Sequence, residues 1–405
     1  MIKALEVLAL FLVILIARKI LPFIALAMLA LIIPSKWLKP KEEINQAEEE
    51  EEEEEGDDDG EEDALWVEKL WQWAAENKIK KDHLPHDKAK LLATETLDLW
   101  IPGFSKLPKE IRYLSKLKKL RLRSGFVSLT RQIGHLTNLT VLDVSESYLD
   151  KLPEEIGALV NLTTLNVYDT RMTELPKSIG ALKNLQQLNI GLTYIKTLPQ
   201  EICALENLRQ IEFYGEYSER GEEPRQIREI PEQVYALTSL RVLSSRFNPV
   251  KSLSPKIGNL KNLRRLELHD NYFTEIPGEI GALKELRVLD LGGYNSNLTA
   301  IPKEIGALQA LEELDIECGT LLLPPELWTL TRLKKLRLWW RYDAPVKYFP
   351  KEIAALTQLE DININGKGEI KIPQEFWSLK KIKRMQNMDL NDWKTSRSRH
   401  DIFNA

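Results

Sequence analysis

The sequence predicts an α/β solenoid: a right-handed horseshoe with a parallel sheet on its concave face and short helices on its convex face. Three observations carry this. A unit of about 23 residues recurs, starting at Leu107, Leu129, Leu152, Leu175, Leu198, Ile230, Leu253, Ile276, Ile301, Leu323, Phe349 and Ile372. Each start is followed by Pro, or by Thr130 or Ser254 in two cases. Within a unit, a three-residue apolar spacing gives way to alternation, so each coil holds a short helix and then a strand.

The unit at Leu152 shows the logic. Pro153 fits a first helical position, where a missing N–H costs nothing. Glu154 and Glu155 suit the positive end of that helix. Ile156, Leu159 and Leu162 mark one buried face, and Leu165 and Val167 alternate with Thr164, Asn166 and Tyr168 as a strand. One coil cannot bury its own leucines, so coils stack and their strands pair at about 4.8 Å. The repeated Leu, Ile and Pro are scaffold. Recognition must lie in residues that vary between coils.

In chain order, residues 1–41 come first. Their apolar stretch, 4–34, is interrupted by Arg18 and Lys19 and followed by Lys36 and Trp37. It is expected to contact the lipid bilayer as a transmembrane helix or a helical hairpin, with a cleaved signal peptide as the alternative. In a hairpin, Lys3, Lys36, Lys39 and Lys41 outnumber Arg18 and Lys19, which orients the repeats toward the cytoplasm.

Residues 42–63 hold 16 Asp or Glu and no Lys or Arg, which predicts an extended, disordered linker. It reads as a spacer, or as an acidic segment that folds back on the horseshoe. Residues 64–96 are the N-terminal cap, with 64–91 an amphipathic helix placing Trp66, Leu70, Trp73 and Ile79 near one face. Leu97 and Leu99 open the first strand. The repeats fill 97–375, and 376–405 form the C-terminal cap.

The net charge of −5 is unevenly spread: the first 41 residues carry +5, and residues 64–405 carry +6. That mild excess, without a basic stripe of interleaved aromatics, excludes a nucleic-acid footprint. Cys203 and Cys318 lie four coils apart, at least about 19 Å, too far for a disulfide.

Two columns of strand residues should face the concavity. One reads Asp98, Arg121, Asp143, Asn166, Asn189, Glu212, Ser244, Glu267, Asp290, Asp315, Arg337, Asn363; its neighbour reads Trp100, Arg123, Ser145, Tyr168, Gly191, Tyr214, Arg246, His269, Gly292, Glu317, Trp339, Asn365. Aromatic and Arg residues dominate binding hot spots. The partner-binding candidates are therefore Trp100, Arg121, Arg123, Tyr168, Tyr214, Arg246, His269, Trp339 and Trp340. Aromatics can also stack on one another along a ladder. Coil five, starting at Leu198, gains about nine residues around Gly215–Glu229. Coil ten, starting at Leu323, gains three and carries Trp339, Trp340, Tyr342, Tyr348 and Phe349. Trp328 and Trp377 replace a helix glycine and read as convex packing residues.

No catalytic constellation is evident: there is no phosphate-binding loop, nucleophile elbow or CxxC. His83 and His86 have loose metal spacing, but they bracket Pro85. Asn138, Asn161 and Asn297 match the glycosylation sequon, the first two as by-products of the repeat. The expectation is a non-enzyme with no metal, cofactor or small-molecule substrate.

The LPxEIGxLxxLxxLxL unit resembles the leucine-rich repeat family, in the Ras-group form shared with many bacterial members. The resemblance covers roughly 270 residues. It implies recognition of a protein or peptide, and in eukaryotes such scaffolds bind small GTPases and phosphatases. The asparagine usual after the strand remains at Asn248 and Asn271 but is Ser147, Thr170 and Thr193 elsewhere. Hydroxyls can partly replace its hydrogen bonds. The expected function is a membrane-anchored interaction scaffold, with a secreted or cell-surface adhesion protein as the alternative.

Overall fold

The computed structural model describes residues 65–216, 225–293, 296–318, 323–340, 347–366 and 370–386. The predicted bilayer segment, the acidic linker, Tyr342 and the tail around Arg397 and Arg399 lie outside the described residues. Among the described residues, no helix is long and apolar enough to cross a membrane. The chain divides into Met1–Leu65 and Trp66–Ala405. The second unit is the repeat body.

Thirteen strands form one sheet in chain order, and every pairing is parallel. The first is Thr96–Lys106 and the last is Arg384–Gln386. Coil twelve thus adds a thirteenth strand beyond residue 375, inside the segment assigned to the C-terminal cap. Register is locked from coil to coil: Leu120, Leu142, Leu165, Leu188 and Ile211 occupy successive rungs. All five are buried. Each has a neighbour of like shape on both sides, so truncating one leaves a cavity costing about 2–5 kcal/mol.

The convex helices are five-residue 3-10 helices, such as Glu154–Ala158 and Lys177–Ala181, rather than α-helical turns. The reason was present in the spacing. Ile156, Leu159 and Leu162 recur every three residues, which is the 3-10 period. Pro153 is the residue before the helix, with extended backbone, and not its first member. Glu154 reaches across to the following coil, where its carboxylate accepts from the Lys177 and Ser178 N–H groups. Those bonds hold its pKa below the usual carboxylate value.

Helices of successive coils stack closely through glycine. A Cβ at Gly180 would lie 2.7 Å from the Glu201 carbonyl oxygen. Where that position holds Tyr235 or Trp328, the larger side chain is buried. Trp328 packs edge-on against Phe349 at 5.8 Å, and Trp377 against Phe376 at 5.2 Å, as expected for packing residues.

The predicted cap helix 64–91 is two helices, α1 (Trp66–Glu76) and α2 (Lys88–Leu92). The chain leaves α1 through Lys78, whose φ of 58° is incompatible with a continuing helix. Asp87 restarts it by accepting from Lys90 N at 2.8 Å. Trp66, Val67, Leu70 and Ala74 are the buried face, while Trp73 and Ile79 are only partly covered. Trp66 stacks on Tyr113 of coil one at 4.8 Å, and Trp73 donates to the Lys106 carbonyl.

Candidate functional site

Both predicted columns exist. Asp98 pairs with Arg121, Arg121 with Asp143, and the register runs unbroken through Asn166, Asn189, Glu212, Ser244, Glu267, Asp290, Asp315, Arg337 and Asn363. In the second column Trp100 lies opposite Arg123, and Trp339 lies between Glu317 and Asn365. The leucines between them point inward, so both columns occupy the sheet's outer face.

Most candidate arginines are already engaged. Arg123 meets Asp98 at 3.1 Å, and Arg121 bridges Asp98 and Asp143 at 3.8 and 3.9 Å. Arg246 meets Glu267 at 2.7 Å, a carboxylate it shares with Arg265. All but the Arg265 contact join neighbouring rungs, so their charge is partly spent within the sheet. Trp100 differs: it is 64% exposed. Tryptophan is among the residue types that dominate binding hot spots.

Tyr168 and Tyr214 form an edge-to-face pair with centroids 6.3 Å apart, although a full coil lies between them. Gly191 makes this possible. A Cβ there would come within 2.9 Å of the Tyr214 ring and backbone nitrogen. Burial raises both phenol pKa values. The ladder-packing alternative therefore holds for this pair. In coil ten, Trp339 is half-buried, and the side chains of Trp340 and Tyr348 lie outside the described residues.

His269 sits between two carboxylates, with Nδ1 3.3 Å from Asp290 and Nε2 3.3 Å from Asp270. The Asp290 bond raises the imidazole pKa against the opposing effect of burial. Burial tends to raise Asp290, but the bond and charge of His269 outweigh it and leave the carboxyl low. Asp315, on the next rung, is pushed up to about 6 by burial and by the Asp290 charge. Gly292 again supplies the space, since its Cβ would lie 2.8 Å from Asp315 Oδ1 and 3.0 Å from His269 Nδ1.

Sequence reasoning missed a third row, just past the strands. Arg171 lies over the Tyr148 ring at 4.6 Å, and Arg225 over Tyr194 at 5.2 Å. Arg225 comes from the coil-five insertion and also forms an ion pair with Asp169 of coil three. Arg225 thus lies on the Tyr168 side of the sheet. The shared offset of Tyr148, Arg171 and Tyr194 within their coils was readable; the reach of Arg225 was not.

The residue after each strand column takes a left-handed conformation at Ser124, Glu146, Asp169, Leu192, Phe247, Asp270 and Gly293. The next side chain stabilises the turn. Ser147, Thr170 and Thr193 donate only to a carbonyl of their own coil, those of Val144, Val167 and Ile190. Asn248 and Asn271 also cross to Phe213 and Ser245 of the previous coil, and they accept from Ile227 N and Val250 N. The hydroxyl replacement is therefore partial in a defined way: it caps a coil but does not tie two together.

Other sequence candidates resolve into structure. His86 stacks on Trp71 at 5.1 Å. Among the described residues, no group of three or more His, Cys, Asp or Glu is placed to hold a metal ion. Asn138 and Asn161 donate their side-chain amides to the Ser115 and Thr137 carbonyls, both at 2.9 Å, the nitrogen that a glycan would need. Cys203 is a free thiol whose pKa burial raises.

Similarity to known proteins agrees with this geometry. A leucine-rich repeat region matches residues 128–254 and 251–402. A leucine-rich repeat protein of Leptospira interrogans is 32% identical, with 75% of this chain and 74% of that chain covered and a TM-score of 0.66. A plant peptide hormone receptor, solved in complex with RGF2, is 26% identical over 74% of this chain and 48% of its own, with a TM-score of 0.57. An internalin of Listeria monocytogenes shares the fold at 17% identity, 77% and 94% coverage and a TM-score of 0.52. The chain spans about half the length of the plant peptide hormone receptor it matches. No curated protein matches it. With its repeats matched over most of their length and its parallel sheet built coil by coil, the chain belongs to the leucine-rich repeat family.

Proposed function

We propose that this protein is a membrane-tethered, non-enzymatic interaction scaffold that binds a protein or peptide on the outer face of its sheet. The observation that carries this reading is Trp100, an open aromatic on a register-locked surface whose other large side chains are paired or half-buried. Rigid strands present such side chains at low entropic cost, which favours recognition. The plant receptor solved with RGF2 supports a peptide-sized or larger partner. The LPxEIGxL form of the repeat, the bilayer contact of residues 4–34 and the cytoplasmic orientation belong to the same proposal.

In-cell crosslinking followed by retrieval tests it. Wild type should recover a defined polypeptide, and Trp100→Ala combined with Tyr214→Ala should recover much less at equal expression. Equal recovery would contradict the reading. Protease treatment of intact cells separates the orientations. Protection of the repeats agrees with a cytoplasmic scaffold, and digestion would favour the cell-surface adhesion alternative.

A further inference from the structure

Just before each strand, one residue occupies the turn that leads out of the 3-10 helix. Its column reads Lys118, Thr140, Thr163, Gln186, Arg209, Arg241, Arg264, Arg287, Glu312, Lys334, Glu360, Lys383. The backbone holds these residues on successive rungs: Arg241 N donates to the Arg209 carbonyl, Arg264 N to that of Arg241, and Arg287 N to that of Arg264, each at 2.8 Å. Coils five to eight therefore present four arginines in line, about 14 Å from first to last. All four are exposed.

Elsewhere the same column neutralises itself. Lys118 pairs with Glu95 at 2.8 Å, Lys334 with Glu312 at 2.7 Å, and Lys383 with Glu360 at 2.8 Å. Arg287 reaches Glu312 at 3.8 Å. Among the described residues, Arg209, Arg241 and Arg264 have no ion-pair partner. Lys261 and Lys284 stand three residues before Arg264 and Arg287, Glu206 three before Arg209 and Glu285 two before Arg287, while Arg265 is already paired with Glu267 at 3.0 Å. Like charges on adjacent rungs destabilise a ladder, so nothing among the described residues favours this run. The residue type changes with the pairing. The three lysines sit beside a partner carboxylate, whereas the unpaired basic positions are all arginine, whose planar fork suits two-pronged recognition of a carboxylate.

We propose that the Arg209–Arg241–Arg264–Arg287 edge is a second docking surface, which takes an extended, carboxylate-rich segment of a partner protein. The occupant follows from the fold's own habit: wherever a basic residue of this column is paired, a carboxylate one rung away pairs it. An acidic peptide laid along the solenoid axis supplies the missing carboxylates to coils five to seven. The column carries no aromatic side chain on which successive nucleic-acid bases could stack.

The test uses the full chain and a fluorescein-labelled octaglutamate peptide, titrated at low and at physiological salt. Arg241→Glu with Arg264→Glu is the site variant, and Glu312 and Glu360 show that this column folds with glutamate. Lys116→Glu with Lys380→Glu changes net charge equally at exposed positions in coils one and twelve. Saturable binding that weakens about tenfold or more in the site variant, but less than about twofold in the control, is expected. Equal weakening in both variants, no change in either, or no saturable binding would overturn the proposal. So would tighter binding to phosphatidylserine vesicles or to a thymidine oligonucleotide. Capture through the sheet's outer face is read with Trp100→Ala, which should leave octaglutamate binding unchanged.

Discussion

Gly191 and Gly292 occupy the same column of the sheet, four coils apart, and each leaves room for a neighbour. At Gly191 that neighbour is the Tyr214 ring, which crosses the rung to meet Tyr168. At Gly292 the neighbours are His269 and Asp315, part of a charged set with Asp290. One position of one repeat thus builds an aromatic patch in coils three to five and a titratable patch in coils seven to nine. The backbone is common to both, so the difference lies wholly in the residues flanking the glycine.

The largest expected contrast comes from filling the first space. In Gly191→Ala the new methyl meets Tyr214 Cβ at 2.8 Å and its backbone nitrogen at 2.9 Å, groups that cannot rotate away. The substitution should destabilise by about 3 kcal/mol, read from the denaturant midpoint, and separate the two tyrosines. An unchanged midpoint would mean that the rung spacing is more yielding than this packing requires.

The second contrast is pH. His269 has a raised pKa, so its stabilising contribution is complete below about 6.5 and is lost as pH rises through its folded value. Asp315, raised from 3.8 to about 6, holds in the folded state a proton that the unfolded chain has released, so it too favours lower pH across that window. Asp290 is lowered; its contribution is present above 3.8 and is lost only on further acidification. Asp315→Asn should therefore gain on wild type by about 1–2 kcal/mol between pH 4 and pH 7, less than the full shift because water reaches the site. A gap independent of pH would contradict this ordering. The smallest effect is expected for Gly292→Ala, under about 1 kcal/mol, because the nearest atoms are rotatable side-chain ends.

The sheet was legible in the sequence because two periods coincide. Alternation sorts Leu165 from Asn166, and the 23-residue repeat places Asn166 beside Asp143. The candidate site was only half legible. Arg121 and Arg123 stand out as candidates by residue type, and the same column already places Asp98 and Asp143 next to Arg121. The short convex helices were legible too, and their three-residue apolar spacing is that of the 3-10 form. Arg225 could not be foreseen, because an insertion has no repeat to fix where it lands.

The central claim is that recognition takes place on the sheet's outer face, at the end where Trp100 stands open. A photocrosslinking residue placed at position 100, and separately at the exposed Val160 on the helix side, tests it most directly. The account predicts a discrete protein adduct in cells from position 100 and none from position 160. Adducts of equal yield from both positions, or from position 160 alone, would contradict it.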